Sequence, residues 1–159
     1  DAVPLTVELS EDLAATRDVC REMFRKLPVG IDRNSALNAL GRLGKPSLPK
    51  KVFHRASIVD SKLGKLFPDL QFVAGVAVKC RNFFVHGSSG DIDYLAVESL
   101  LPFLTDTLEF IFAASDFIEA GWDAQRWSSE PYGWGHSFTR YRAEYDTALA
   151  ELKRAIAAV

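Results

Sequence analysis

Apolar residues recur at three- and four-residue intervals along most of the chain, and the polar punctuation between these runs predicts helices. Ser10 is a good N-cap, with Glu11 and Asp12 placed where the positive end of a helix favours acids. Leu13, Cys20, Met23, Phe24 and Leu27 continue at helical spacing until Pro28-Val29-Gly30 stops the run. A short second helix opens at Asn34 or Ser35, carries Leu37, Leu40 and Leu43, and closes at Gly44. After the loop Lys45-Pro46-Ser47-Leu48-Pro49, a third helix is expected from about Lys50 to Lys65, with Val52, Phe53, Ala56, Ile58, Val59 and Leu63 as its apolar positions.

Asp69 caps a fourth helix that runs to His86, with Gly87 as its stop. Leu70, Phe72, Val73, Val76, Ala77, Val78, Cys80, Phe83, Phe84 and Val85 make this helix apolar almost all round, which puts it in the middle of a bundle. The turn Gly87-Ser88-Ser89-Gly90 leads to a long apolar helix from about Tyr94 to Ala120, which Pro102 either begins or kinks. Gly121 to His136 reads as an aromatic loop holding Trp122, Trp127, Tyr132 and Trp134. Ser137 caps a final helix through Ala157, whose stripe is Phe138, Tyr141, Tyr145, Ala148, Leu149, Leu152 and Ile156. Strand alternation and internal repeats are both absent, so the expected fold is an all-α, up-and-down bundle of five or six helices. One domain over 1–159 is expected, with 1–9 as a tail.

Composition narrows the class. With 159 residues, 48% of them apolar, and a net charge of −2, the chain can bury a core and is not of the disordered type. No apolar run reaches the roughly 18 charge-free residues of a membrane span, and the expected location is the cytoplasm. Cys20 and Cys80 are too few for a disulfide framework or a cysteine zinc site and are expected to be buried free thiols. Ala2–Leu9 lacks a signal-peptide pattern, and a start at Asp1 without Met reads as a piece of a longer protein.

The small net charge conceals an asymmetry. Arg42 to Lys65 holds seven basic residues and the single acid Asp60, whereas Asp91 to Asp123 holds eight acids and no Lys or Arg. The basic arm can meet a polyanion, or the two faces can simply attract one another.

Polar residues are scarce on the fourth helix. Gln71, Gly75, Lys79, Asn82 and His86 follow one another at intervals of four, four, three and four, which draws a single line along it. Such a line implies a water-facing cleft or a subunit interface, and Gly75 within it permits another backbone to come close. His86 ends the helix, where the dipole favours its protonated form. Arg81 stands five residues from His86, roughly 140° away around the helix. It can reach His86 only by curling its side chain or by working across an interface; alternatively it pairs with an acid inside the bundle.

The string Lys79-Cys80-Arg81-Asn82-Phe83-Phe84-Val85-His86-Gly87 resembles the R-x4-6-H motif of HEPN domains, in the form Arg-Asn, three residues, His. Pro131-Tyr132-Gly133-Trp134-Gly135-His136-Ser137-Phe138 and Arg140-Tyr141 are similar to the aromatic-Gly stretch before the last helix in the ApeA-like branch. The resemblance extends over most of the chain, from about Ser10 onward. It implies a HEPN-like bundle acting as a metal-independent RNA endonuclease, with two motif helices meeting near a two-fold axis in a homodimer. In that reading His86 moves protons, Arg81 stabilises the charged phosphorus, and Asn82 orients the imidazole or donates to a phosphate oxygen. Arg81 would complement the partner copy's histidine, and Lys79, Lys50, Lys51, Arg55 and Lys62 would bind RNA. A prokaryotic defence or toxin role is implied, with an antitoxin or other domains of a parent protein as further partners. In the toxin branch controlled by a nucleotidyltransferase, a Tyr stands two residues after the His; here that position is Ser88, and Tyr94 is too distant to replace it.

The remaining candidates read more simply. His54 is a surface or satisfied histidine, His136 belongs to a helix cap, and the loop aromatics pack over the bundle end unless they stack bases. No P-loop, zinc spacing, paired-carboxylate motif or G-x-S-x-G occurs, and no cofactor is expected. A non-catalytic HEPN-like module that dimerises or binds a partner or nucleotide is the competing reading, with Arg81 buried against Asp106 or Glu109. A helical adaptor outside the family is a third.

Overall fold

The computed structural model describes residues 9–87, 90, 92–131 and 137–157, and every regular element among them is helical. The described residues form two compact units, one up to Ser47 and one from Leu48 onward.

The first unit is a hairpin of α1 (Glu11–Arg25) and α2 (Ile31–Arg42). The Ser10 side chain accepts from the Leu13 amide at 3.3 Å, as the N-cap pattern requires. Arg33 donates to the carbonyls of Phe24 and Arg25, satisfying acceptors that the end of α1 leaves open. α2 begins at Ile31, three residues or more before the expected Asn34 or Ser35. Extended Gly30 occupies its N-cap without a side-chain bond, so the polar cap signal at Asn34 lies inside the helix. Neither helix contributes a fully buried side chain.

The second unit is the bundle proper: α3 (Leu48–Leu63), α4 (Leu70–His86), α5 (Leu101–Glu119), α6 (Ala124–Ser129) and α7 (Ser137–Ala157). α3 starts inside the expected loop, because Pro49 is compatible with a first helical turn. Pro102 begins α5 and does not kink it, after a 3-10 turn over Glu98–Leu100. The segment read as one aromatic loop contains α6, capped by the Asp123 carboxylate accepting from the Arg126 amide at 2.9 Å. Its Tyr132, Trp134 and His136 lie outside the described residues, as does Ser88. Ser137 is the first residue of α7 and not a residue before it. Among the described residues no helix is long and apolar enough to cross a membrane.

Packing centres on Phe67, in the turn between α3 and α4. Its ring lies 4.7 Å from Phe110, 5.5 Å from Tyr141 and 5.0 Å from Tyr145, centroid to centroid. These distances suit tilted, stacked and edge-on aromatic contacts. The hydroxyls of Tyr141 and Tyr145 are both satisfied: Tyr141 donates to Thr107 Oγ1 at 3.0 Å and Tyr145 to the Pro68 carbonyl at 2.8 Å. Asp69 takes the N-cap place of α4 with a left-handed backbone (φ 56°), yet its carboxylate does not cap. It accepts instead from Lys153 of α7 at 2.5 Å, so α7 is held at the α3–α4 turn by core rings and by a surface ion pair.

Burial pushes both tyrosine hydroxyls well above their ordinary value, against a lowering by the Thr107 bond at Tyr141 and with Tyr141 and Asp69 adding to the rise at Tyr145. Unfolded tyrosine ionises near pH 10 whereas these two stay neutral, so the unfolded chain binds fewer protons above that pH. Stability is therefore full below about pH 10 and falls above it, by about 1.4 kcal/mol per pH unit for each tyrosine. Urea unfolding between about pH 8 and 11 is expected to show this fall, and Tyr141→Phe to make it shallower.

Candidate functional site

α4 leaves the core at a definite point. Leu70, Val73, Ala74, Val76, Ala77, Val78 and Cys80 are buried, while Arg81, Phe84, Val85 and His86 are exposed. Burial raises the Cys80 thiol above its ordinary value, in keeping with a packing role. Gly87 then adopts the left-handed conformation (φ 65°) and donates to the Phe83 carbonyl at 2.8 Å, which ends the helix at His86. Gly90 is required for another reason. A Cβ there would lie 2.2 Å from the Tyr94 hydroxyl, and Tyr94 is itself fixed by stacking on Phe83 at 3.8 Å. Tyr94 is buried in this stack.

Arg81 reaches its own histidine. Nη1 stands 2.8 Å from His86 Nε2 and donates to Asn82 Oδ1 at 3.2 Å. The curled side chain bridges the angular offset, so no second copy is needed to bring the two groups together. The acid pairing expected of a non-catalytic motif is not what Arg81 makes: it is exposed, and Asp106 pairs with Arg140 at 3.1 Å.

The polar line on α4 is likewise at the surface or half-buried, at Gln71, Gly75, Lys79, Asn82 and His86. The neighbour admitted by Gly75 is the ring of Phe53, whose Cζ would lie 3.5 Å from a Cβ, and not a backbone. This contact joins α3 and α4 across the turn at Gly64–Asp69, as in an antiparallel pair.

The proposed basic groove divides into parts with different roles. Arg55 is tied to the acidic helix, with Nη1 2.6 Å from both Asp116 and Glu119 and 3.4 Å from buried Ser115. Here the two charged segments do pair with one another. Lys62 lies at the turn end of α3 and lines a 560 Å³ cleft with Lys65, Gln125 and Ser128. His86 is at the opposite end of α4, about 25 Å along a helix of 17 residues. Lys50 and Lys51 are exposed at the start of α3, toward the end of the hairpin that carries the motif.

Trp122 and Trp127 pack against the bundle as expected of the loop aromatics, but sequence reasoning missed the cup they form at the end of α5. Phe117, Trp122, Trp127 and Phe138 enclose about 360 Å³, with Trp122 and Trp127 5.3 Å apart. The guanidinium of Arg142 stacks 5.2 Å above Trp127 and donates to the carbonyls of Trp127, Ser128 and Glu130. Reading the segment as a loop hid this, since an α6 of six residues has no sustained periodicity.

Comparison with known proteins agrees with the motif. The family model "Apea-like HEPN" matches residues 7–126. The chain belongs to the Apea-like HEPN family. The match includes the whole R-x4-6-H segment and the helices that hold it, but ends before the aromatic-Gly stretch at 131–138. No curated protein matches the chain, and no solved structure does. A helical adaptor outside the family is thereby excluded.

Arg55→Met removes the cation that joins α3 to α5 and is expected to cost about 1 kcal/mol in urea unfolding. Lys50→Ala and Lys51→Ala, which pair with no acid among the described residues, are expected to change stability by less than about 0.5 kcal/mol.

Proposed function

We propose that this HEPN domain is a metal-independent RNA endonuclease whose reacting groups are His86 and Arg81, with Asn82 steering the guanidinium. The observation that carries this reading is the exposed Arg81–His86 contact at 2.8 Å, held at the end of a helix that is otherwise core. Cleavage by the substrate's own 2′-OH requires a group that takes a proton and a cation beside the pentacoordinate phosphorus. Imidazole and guanidinium supply these two functions. The 2′-oxygen bonds to phosphorus, the bond to the 5′-oxygen breaks, and the products end in a 2′,3′-cyclic phosphate and a 5′-hydroxyl.

A homodimer fits the surroundings of the motif. Phe84 is 53% exposed, Val85 59% and Leu95 82%, an apolar collar beside the Arg81–His86 contact. A second copy seated there would bring a second imidazole, so that one acts as base and the other, as imidazolium, protonates the departing 5′-oxygen. Lys79, Lys50 and Lys51 remain the RNA-binding lysines in this reading, whereas Arg55 holds the fold. Action in the cytoplasm, within a prokaryotic defence or toxin system and under an antitoxin or neighbouring domains, completes the proposal.

His86→Ala and Arg81→Ala are each expected to abolish RNA cleavage, by a factor of about 100 or more, with circular dichroism unchanged. Cleavage by the parent protein should persist in chelator and leave cyclic phosphate ends. A His86→Ala protein as active as the parent overturns the mechanism. Phe84→Asp is expected to shift sedimentation from dimer to monomer and to reduce cleavage with it.

A further inference from the structure

The Arg81–His86 contact fixes more than proximity. A guanidinium has only donors, so a hydrogen bond between Nη1 and His86 Nε2 requires that Nε2 carry a lone pair. The ring is then neutral with its proton on Nδ1, the tautomer an unconstrained imidazole favours less. Both N–H groups of Nη1 are accounted for, one on His86 Nε2 and one on Asn82 Oδ1. Nε and Nη2, which form the side-on fork of the guanidinium, have no partner among the described residues. Such a fork matches two oxygens of a phosphate.

We infer that Arg81, besides facing the phosphate, sets the His86 tautomer, so that Nε2 is the nitrogen that accepts the 2′-OH proton while the open Nε/Nη2 edge holds the adjacent phosphate. This rests on the ribonuclease reading above and assigns its atoms. Nη1 and Nε2 lie 2.8 Å apart, close enough for one chain to address the 2′-oxygen and a phosphate oxygen of the same nucleotide. On binding, the 2′-OH takes the place of Nη1–H at Nε2, and Nη1–H passes to a phosphate oxygen. The proton then moves from the 2′-oxygen to Nε2 as the bond to phosphorus forms. Asn82 keeps Nη1 aimed at the ring until that exchange.

The test is two-bond nitrogen–proton NMR on the ¹⁵N-labelled protein at about pH 8.5, where histidine is neutral, with His86 assigned by loss of its signals in His86→Ala. The parent is expected to show His86 with Nδ1 protonated and Nε2 bare. Arg81→Ala should move the ring to the Nε2–H form, and Asn82→Leu, which leaves the arginine in place, should move it part of the way. The inference is overturned if the parent ring is already Nε2–H, or if its tautomer is the same in parent and both variants. RNA cleavage is scored separately. An Arg81-dependent tautomer in a protein that cuts no RNA leaves the contact standing and removes the ribonuclease reading. Loss of cleavage in Arg81→Ala with an unchanged tautomer keeps that reading and removes this one.

Discussion

Everything in the larger unit follows from the need to bury α4 on nearly all sides. A helix with Leu70, Val73, Ala74, Val76, Ala77, Val78 and Cys80 out of water must have neighbours around most of its circumference. α3 and α5 fill that requirement, and α7 is drawn in by the rings that surround Phe67. Desolvation then restricts polar groups to the one open line and to the turn beyond Cys80, because a charge inside would be left without water or partner. The motif stands beyond Cys80, where α4 has left the core and its side chains meet water.

A polar site at the end of a rigid core helix has a physical advantage. Its backbone is set by packing that extends through the bundle, while its side chains remain free to exchange partners. Phe83 stacked on Tyr94, and the glycine that lets Tyr94 lie so close, carry that rigidity past the helix end. Arg55 performs a similar service between α3 and α5, where its charge is consumed by Asp116 and Glu119. The acidic helix is thus partly neutralised from within, and the lysines at the start of α3 are left as cations facing solvent.

Much of this architecture is legible from residue order. Six of the helices announce themselves through periodicity and through Ser10, Pro102, Gly87 and Gly44, and α4 is recognisable as central because it lacks a polar face. The line from Gln71 to His86 is equally plain. What escapes is tertiary or local on a small scale. The start of α2 carries no side-chain cap, and α6 is too short to show a period. Arg55 resembles Lys50 and Lys51 until its neighbours are known, because a basic residue's partner is set by packing and not by the charges beside it in sequence. The curl of Arg81 onto His86 has the same character: helical angle alone places the two groups apart, and only side-chain length brings them together.

That curl bears on a property of the motif itself. Between two side chains locked to a helix face, a change of one residue rotates the partner by about 100° and destroys the contact. Here one member is a long, mobile arginine and the other is the last helical residue, released by the left-handed turn at Gly87. The contact is set by reach and not by register. The four residues between Arg81 and His86 are therefore spanned by the arc that a guanidinium can sweep across the open end of its own helix.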